Sequence, residues 1–188
     1  MNIIVIINGL GGSGKSTFCS QSKASFINKV KSPSLSYELS TVDFVKEVAA
    51  FCGWRGEKEP KDRAFLHDLK MALEEWDDIP NKKTQEIIEQ FMGLPYENRL
   101  FFVNIRETKG IDSFKKWALN EKKYKVFTVF VTNPNIISNE AENVKDEMLD
   151  YDYDFVISND GDILDLQKKA DEFINNICCE RTQEKCMS

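Results

Sequence analysis

A glycine-rich segment directly after an apolar, largely β-branched run constrains the fold of this chain most strongly. Residues 2–8 (NIIVIIN) predict a strand that is buried on both faces, as strands of parallel sheets are. Residues 9–16 (GLGGSGKS) match the pattern G-x-x-x-x-G-K-[ST]. A helical pattern follows over about 15–29, so the motif has a strand before it and a helix after it, which is the context that it requires.

Each part of this loop has a physical reason to hold a triphosphate. Glycines permit backbone dihedrals in which successive N–H groups point into one concave anion site, and the start of the helix adds positive potential. Lys15 is placed to reach the β- and γ-phosphate oxygens, and Ser16 offers its hydroxyl to Mg²⁺. We therefore expect ATP and Mg²⁺ as cofactors, bound by the loop and the first helical turn: Gly9, Gly11, Gly12, Ser13, Gly14, Lys15, Ser16 and Thr17.

The same glycines also fit a second type of nucleotide site. Gly9, Gly11 and Gly14 satisfy G-x-G-x-x-G, the dinucleotide-binding pattern, and Glu38 lies at a plausible distance for a ribose contact. A lysine directly after the third glycine is typical of triphosphate sites, and the loop is long enough to wrap a phosphate. These two features favour the triphosphate interpretation.

Strand and helix patterns alternate along the rest of the chain. Further strands are expected at 34–40, 100–105, 124–132 and 153–158. Apolar residues at helical spacing predict helices at 41–52, 61–76, 81–92, 112–121 and 164–178. This alternation predicts an α/β fold with a parallel sheet. Two segments interrupt it, 41–98 and 133–150, and both lie where a connection can carry a substrate-covering element.

Composition excludes several classes of partner. Lys and Arg total 25 against 31 Asp and Glu, and a net charge of −6 argues against nucleic acid as the main ligand. No early apolar run approaches the roughly 20 residues that a bilayer requires, so we expect no membrane association. The five cysteines lack paired zinc-site spacings and are expected to be the reduced thiols of a cytoplasmic protein.

On these motifs the chain resembles the nucleoside monophosphate kinase-like group of P-loop kinases, and more narrowly its deoxynucleoside monophosphate kinase and phosphomevalonate kinase branch. Besides the glycine-rich loop, the resemblance rests on Thr41-Val42-Asp43, on 58–70 (KEPKDRAFLHDLK), on Ile105-Arg106-Glu107 and on 153–161 (YDFVISNDG). The resemblance implies a three-layer P-loop fold with five parallel strands, forming one kinase domain over 1–179 with a flexible tail at 180–188. It also implies a helical acceptor-binding insert at 41–98 and a lid at 133–150.

An acceptor that carries a phosphate needs cations, because phosphoryl transfer depends mainly on positioning and on charge neutralisation. The start of the predicted insert supplies Arg55, Lys58 and Arg63, which we expect to bind substrate. Trp54, in the same glycine-flanked loop, is the tryptophan expected to touch a base. The alternative is a solvated charged loop, since acidic residues are interleaved with these cations.

Two residues directly after the third strand lie at the ligand-binding edge of a parallel sheet. Arg106 has a planar fork that suits phosphate oxygens and is predicted to be catalytic; a salt bridge to Glu107 is the alternative. Glu107 is predicted to orient a water molecule on Mg²⁺, and pairing with a lysine explains it equally well.

Two further residues follow strand ends. Asp43 is predicted to organise the metal's water shell or to accept a proton from a hydroxyl acceptor, while its alternative role is to complement the dipole of the next helix. An acceptor that is already a phosphate needs no strong base. In the resembling kinases the loop that contains Asn159 lies near the nucleotide base; locally, Asn159 is also typical of a turn with a helix cap.

The predicted lid departs from the resembling kinases, which bring arginines from it onto the transferring group. Arg106 is the last arginine before Arg181, and 133–150 contains Lys145 as its one cation. Either the role falls to Arg106, Lys109 or Lys145, or the lid is catalytically weak.

We therefore expect an ATP-dependent phosphotransferase of the EC 2.7.4 type, acting on a (deoxy)nucleoside monophosphate, as a monomer or homodimer. A kinase of a non-nucleotide metabolite, such as a phosphomevalonate-like acceptor, is the first alternative. A regulatory nucleotide-binding module with slow hydrolysis is the second. The base-reading N-K-x-D sequence of switch GTPases is absent from the chain, which disfavours the second alternative.

Overall fold

The computed structural model describes residues 1–57, 59–122, 124–136 and 148–179. The chain divides into two compact units, one formed by Met1–Glu38 with Tyr96–Ser188 and the other by Leu39–Pro95. The second unit covers nearly the same residues as the predicted helical insert, 41–98.

A parallel sheet with the first strand at its centre organises the first unit. The order across the sheet is β2-β3-β1-β4-β5, and the strands are β1 (Asn2–Asn8), β2 (Ser34–Ser40), β3 (Asn98–Asn104), β4 (Lys125–Thr132) and β5 (Phe155–Ser158). β1 pairs in parallel with β3 and with β4, so that Val5 lies opposite both Phe102 and Phe127. The predicted α/β fold with a five-stranded parallel sheet is confirmed.

Helices connect the strands, and three of them lie between β2 and β3 along the chain. They are α1 (Lys15–Lys29), α2 (Asp43–Phe51), α3 (Pro60–Asp77), α4 (Ile79–Met92), α5 (Thr108–Lys116), a π-helical turn (Trp117–Glu121) and α6 (Ile163–Cys179). Among the described residues, no helix combines the length and the apolar character needed to cross a bilayer.

The central strand is buried on both faces, as its apolar sequence predicts. Ile3, Val5 and Ile7 share one core cluster with aromatic residues of α1 and α6, including Phe18 and Phe173. Ile4 and Ile6 point to the opposite face, because strand side chains alternate, and they too are fully buried. β1 is therefore fixed firmly enough to hold the loop that leaves its carboxyl end.

Helix α3 of the second unit begins one residue earlier than its apolar pattern predicts. Glu59 and Asp62 form a reciprocal capping box in which each side chain bonds the backbone N–H of the other's residue, and Pro60 occupies the first turn. Asp78, with φ of 50°, is all that separates α3 from α4. The predicted loop before α4 is thus reduced to one left-handed residue.

Several elements of the first unit differ from their predicted bounds, α5 and β5 among them. α5 starts at Thr108 rather than at 112, and its last predicted residues form the π-helical turn. β5 starts at Phe155 rather than at 153. Most of the predicted lid, 137–147, and the predicted tail at 180–188 lie outside the described residues.

Candidate functional site

The glycine-rich loop leaves the carboxyl end of the central strand and ends where α1 begins. Gly14, the residue before α1, has φ of 97° and ψ of 11°, a left-handed conformation that favours glycine. A Cβ there would lie 2.4 Å from Nδ2 of Asn159. Gly9 has φ of 143°, and its Cβ would lie 2.3 Å from the carbonyl oxygen of Val131. Both positions therefore require glycine, for conformation and for space.

The side chain of Lys15 folds back onto the loop. Its ammonium donates hydrogen bonds to the carbonyl oxygens of Gly9 and Leu10, at 2.5 and 2.7 Å. The backbone N–H of Ser13 donates to the same Leu10 carbonyl at 3.1 Å, which closes the turn. The loop and its cation are therefore hydrogen-bonded to each other, and contact of Lys15 with phosphate oxygens stays a prediction.

One polar atom in the loop is buried without a hydrogen-bond partner among the described residues. It is Oγ of Ser13, a residue that is 1% exposed. A buried hydroxyl without a partner is rare in folded proteins and costs free energy. This orphaned donor fits a loop whose remaining hydrogen bonds are made to an anion.

The first turn of α1 exposes two hydroxyl residues, Ser16 at the end of the motif and Thr17 directly after it. Glu107, the other predicted metal contact, directly precedes α5 and is exposed. No cluster of three or more acidic, histidine or cysteine side chains that could hold a metal occurs among the described residues. The donor set fits Mg²⁺ bound mainly through phosphate oxygens and water, with one hydroxyl from the protein.

Asn8, the last residue of β1, connects the loop to the main chain at Arg106. It is 1% exposed, and its Oδ1 accepts a hydrogen bond from the N–H of Gly9 at 2.8 Å. Its Nδ2 donates to the carbonyl oxygen of Arg106 and to the hydroxyl of Tyr153, both at 2.9 Å. The structure thus brings the backbone of Arg106 beside the loop and leaves its side chain exposed. Sequence reasoning missed Asn8; its signal is a polar residue at the end of an apolar strand.

Asn159 lies against the loop from the other side. Its Nδ2 donates to the carbonyl oxygen of Ser13 at 3.0 Å, and its backbone N–H donates to that of Thr132 at 2.7 Å. The side chain therefore supports the loop directly, and contact with a nucleotide base stays a prediction.

Glu38, the candidate ribose ligand of a dinucleotide site, is engaged elsewhere. Its carboxylate pairs with Lys23 at 2.9 Å and accepts a hydrogen bond from Asn104 at 3.4 Å. A ribose would have to compete with Lys23 for the Glu38 carboxylate, so this geometry does not favour the dinucleotide interpretation.

Glu38 also affects a buried thiol. Burial and the nearby Glu38 charge raise the pKa of the Cys19 thiol well above its ordinary value.

Asp43, in the second unit, is the first residue of α2. One of its carboxylate oxygens accepts the N–H of Ser40 at 2.8 Å, and the other pairs with Lys46 at 2.7 Å. Both oxygens are therefore engaged locally, as expected for an acidic residue at the start of a helix.

The predicted acceptor-binding residues of the second unit lie in and after the loop that precedes α3. Arg55 and Arg63 are exposed, and Trp54 is half-buried and donates from Nε1 to the carbonyl oxygen of Glu57 at 3.2 Å. The backbone N–H of Arg55 is bonded to the Glu57 carboxylate at 3.0 Å. Lys58 lies outside the described residues. Their roles in acceptor binding stay predictions.

No protein-family model and no curated protein matches this chain. Solved structures do. The tunicamycin resistance protein of Deinococcus radiodurans has a TM-score of 0.50 and 10% identity, with 97% of this chain and 96% of that chain covered.

Two solved kinases also resemble the chain. The Mycobacterium tuberculosis APS kinase CysC, in complex with AMPPNP and APS, has a TM-score of 0.47 and 16% identity, covering 93% of this chain and 96% of its own. Dephospho-CoA kinase from Campylobacter jejuni has a TM-score of 0.45 and 20% identity, covering 94% and 97%. At 10% identity the Deinococcus radiodurans structure bears on architecture alone, and it agrees with the observed α/β fold around a five-stranded parallel sheet.

Proposed function

We propose that this protein is an ATP-dependent phosphotransferase that moves the γ-phosphoryl group to a small phosphorylated acceptor, with a (deoxy)nucleoside monophosphate as the first candidate. The geometry of the loop after β1 supports this most directly. Positive-φ glycines shape the loop, α1 starts at its end, and the Lys15 ammonium lies against its first carbonyls. This combination is typical of sites that hold a polyphosphate.

ATP and Mg²⁺ both fit the residues present. ATP supplies the transferable phosphoryl group, and its phosphates would be held by loop N–H groups and by Lys15. Mg²⁺ would be held by the hydroxyl of Ser16 together with phosphate and water oxygens. The unpartnered Ser13 hydroxyl gives the loop a further donor.

Phosphoryl transfer depends mainly on positioning and on neutralising charge. Lys15 supplies one cation at the loop. Arg106 supplies a second, since Asn8 holds its main chain beside the loop while its side chain is exposed. We assign to Arg106 contact with the acceptor or with the transferring group.

The surroundings of Asp43 favour an acceptor that already carries a phosphate. Both of its carboxylate oxygens accept hydrogen bonds, one from a backbone N–H and one from Lys46. A carboxylate so engaged is poorly placed to take a proton from a hydroxyl acceptor. A phosphate acceptor needs no such base because its oxygen is ionised near neutral pH. The exposed Arg55 and Arg63 are proposed to bind that acceptor.

The absence of arginine between Arg106 and Arg181 favours one second candidate. With few cations to complete the transition state, the loop would bind ATP and hydrolyse it slowly, as in a regulatory module. A metabolite kinase remains the alternative within the transferase class.

Binding and turnover assays separate these candidates. Calorimetry with ATP and Mg²⁺ tests the loop, and a coupled ADP-release assay across nucleoside monophosphates and small phosphorylated metabolites tests the acceptor. Stimulation by a nucleotide supports the proposal, stimulation by a metabolite supports the alternative kinase, and none supports the regulatory module. Absence of ATP binding by the wild-type chain would refute all three.

Lys15→Ala isolates the contribution of the loop cation. We expect ATP affinity to fall by more than about tenfold and turnover by about a hundredfold, because a charged donor to the phosphates is lost. Lys168→Ala removes the same charge from an exposed position on α6, where Lys168 pairs with Asp165 at 3.3 Å, and should leave both values unchanged. Wild-type turnover by Lys15→Ala would contradict the assignment.

A further inference from the structure

We propose that Asn8 and Tyr153 are positioning residues for phosphoryl transfer. The Asn8 amide holds the start of the phosphate loop and the main chain at Arg106 in one arrangement, and the Tyr153 hydroxyl accepts the second N–H of that amide. This inference rests on the proposed function and extends it to two residues that lie outside the glycine-rich motif.

The contacts of the Asn8 side chain with Gly9 and with Arg106 define a single orientation of its amide. Oδ1 accepts from Gly9 N–H, while both hydrogens of Nδ2 are used, by the Arg106 carbonyl and by the Tyr153 hydroxyl. A flipped amide would place Oδ1 against the Arg106 carbonyl and Nδ2 against the Gly9 N–H, which are two repulsive contacts. Because Asn8 is 1% exposed, water cannot readily replace these bonds.

Ring packing holds the Tyr153 hydroxyl in place. Its ring stacks on Phe130 of β4, with centroids 4.9 Å apart and an interplanar angle of 24°, and lies 4.8 Å from the ring of Tyr151. A phenylalanine at 153 would keep this packing and remove only the hydroxyl. The substitution therefore tests the hydrogen bond and not the ring.

Asn8 is connected by hydrogen bonds to the main chain around both proposed cations. One branch of hydrogen bonds runs from the Tyr153 hydroxyl through Asn8 to the Gly9 N–H, and the Gly9 carbonyl in turn accepts from Lys15. The other branch ends on the carbonyl of Arg106. The side chain touches no reacting atom, so its effect on the reaction must pass through the positions of Lys15 and Arg106.

Tyr153→Phe should lower kcat by about fivefold, the value of one ordinary hydrogen bond, while the KM for ATP changes less than about twofold. The KM is spared because the loop amides and Lys15 still bind the phosphates. Asn8→Asp keeps the acceptor for Gly9 but sets an oxygen against the Arg106 carbonyl, and should lower kcat at least as much. Tyr151→Phe is the matched control, because the hydroxyl that it removes donates to Asp112 at 2.7 Å. The kcat of this variant should stay at the wild-type value.

A second measurement reads the network without activity. In amide NMR spectra the Gly9 resonance should shift in Tyr153→Phe and stay in place in Tyr151→Phe. Cooperative thermal unfolding shows that both variants fold, and the midpoint of Tyr153→Phe should be lower because the buried Asn8 amide loses a partner. An unmoved Gly9 resonance in Tyr153→Phe would overturn the inference, and so would a moved resonance with unchanged kcat. A wild-type chain that neither bound ATP nor transferred phosphate would instead refute the proposed function. The Gly9 resonance would still show whether the hydrogen bonds from Tyr153 through Asn8 to Gly9 are present.

Discussion

Gly14 shows how backbone conformation and packing act together on one residue. Gly14→Ala places a Cβ on a residue with φ of 97° and sets it 2.4 Å from Nδ2 of Asn159. The left-handed conformation costs roughly 1–2 kcal/mol, and the overlap adds to it. We expect the free energy of unfolding, measured by urea titration, to fall by about 3 kcal/mol or more.

Gly56 provides the control for this experiment. It has a similar φ of 94°, but a Cβ there would meet nothing within 4 Å. Gly56→Ala should therefore cost roughly 1–2 kcal/mol, the conformational part alone. Adding Asn159→Ala to Gly14→Ala should recover part of the loss. Equal costs at the two glycines would show that the Asn159 contact has no energetic consequence.

The residues of the loop could be predicted from sequence, whereas Asn8 could not. Lys15 and Gly14 belong to a short contiguous pattern whose physics is local. The partners of Asn8 lie 98 and 145 positions away along the chain, at Arg106 and Tyr153. Nothing in the local sequence reveals which distant groups meet a single buried amide.

At the scale of elements, Asp154 joins β4 to the start of β5. One oxygen of its carboxylate accepts from both the N–H and the hydroxyl of Thr128, at 2.7 and 2.8 Å, and its own N–H donates back to that hydroxyl at 2.9 Å. The Asp154 carboxylate thus bonds the Thr128 N–H in place of a backbone carbonyl from the neighbouring strand. This is why β5 begins at Phe155, two residues later than predicted.

Asp154→Ala should lower the free energy of unfolding by about 2 kcal/mol, because Thr128 is fully buried and its N–H loses its partner. Denaturant titration measures the loss. Asp152→Ala, at an exposed position two residues earlier, should change the same quantity by less than about 0.5 kcal/mol. Comparable losses in the two variants would contradict the role given to Asp154.

Element existence was predictable from periodicity, but element bounds depended on local bonding. The apolar spacing located α3, whereas the Glu59–Asp62 capping box set its first residue. The spacing of 112–121 predicted a helix, but it gave no sign that the chain would change to π-helical hydrogen bonding at Trp117. Periodicity records which face is buried and carries little information about where backbone bonds change partner.

At the scale of the whole molecule, stability should fall as the solution becomes alkaline. The pKa of the Cys19 thiol is raised well above its ordinary value of 9.0, first by burial and then by Glu38. Above pH 9.0 the unfolded chain releases this proton while the folded chain keeps it. The folded state then binds more protons, so the free energy of unfolding decreases with rising pH.

Cys19→Ala removes this titration, so its free energy of unfolding should fall less steeply above pH 9.0 than that of the wild type. Below pH 8 the two curves should run parallel, which provides an internal control. The pKa of Tyr151 is also raised, by burial and by its hydrogen bond to Asp112, so some slope should persist in the variant above pH 10. Identical slopes in both proteins would exclude Cys19 as a contributor.

The sequence by itself determined the parallel sheet, its buried central strand and the glycine-rich loop after it. These features follow from patterns along the chain: the continuous apolar run of the first strand, the alternation of strands with helices, and glycines directly before a helix. Only the tertiary structure decided that Asn8 would join Gly9, Arg106 and Tyr153, that Asn159 would lie against Gly14, and that Glu38 would pair with Lys23. Such contacts depend on which strand ends meet in the folded sheet, and that is a property of the three-dimensional arrangement of the elements and not of any one segment.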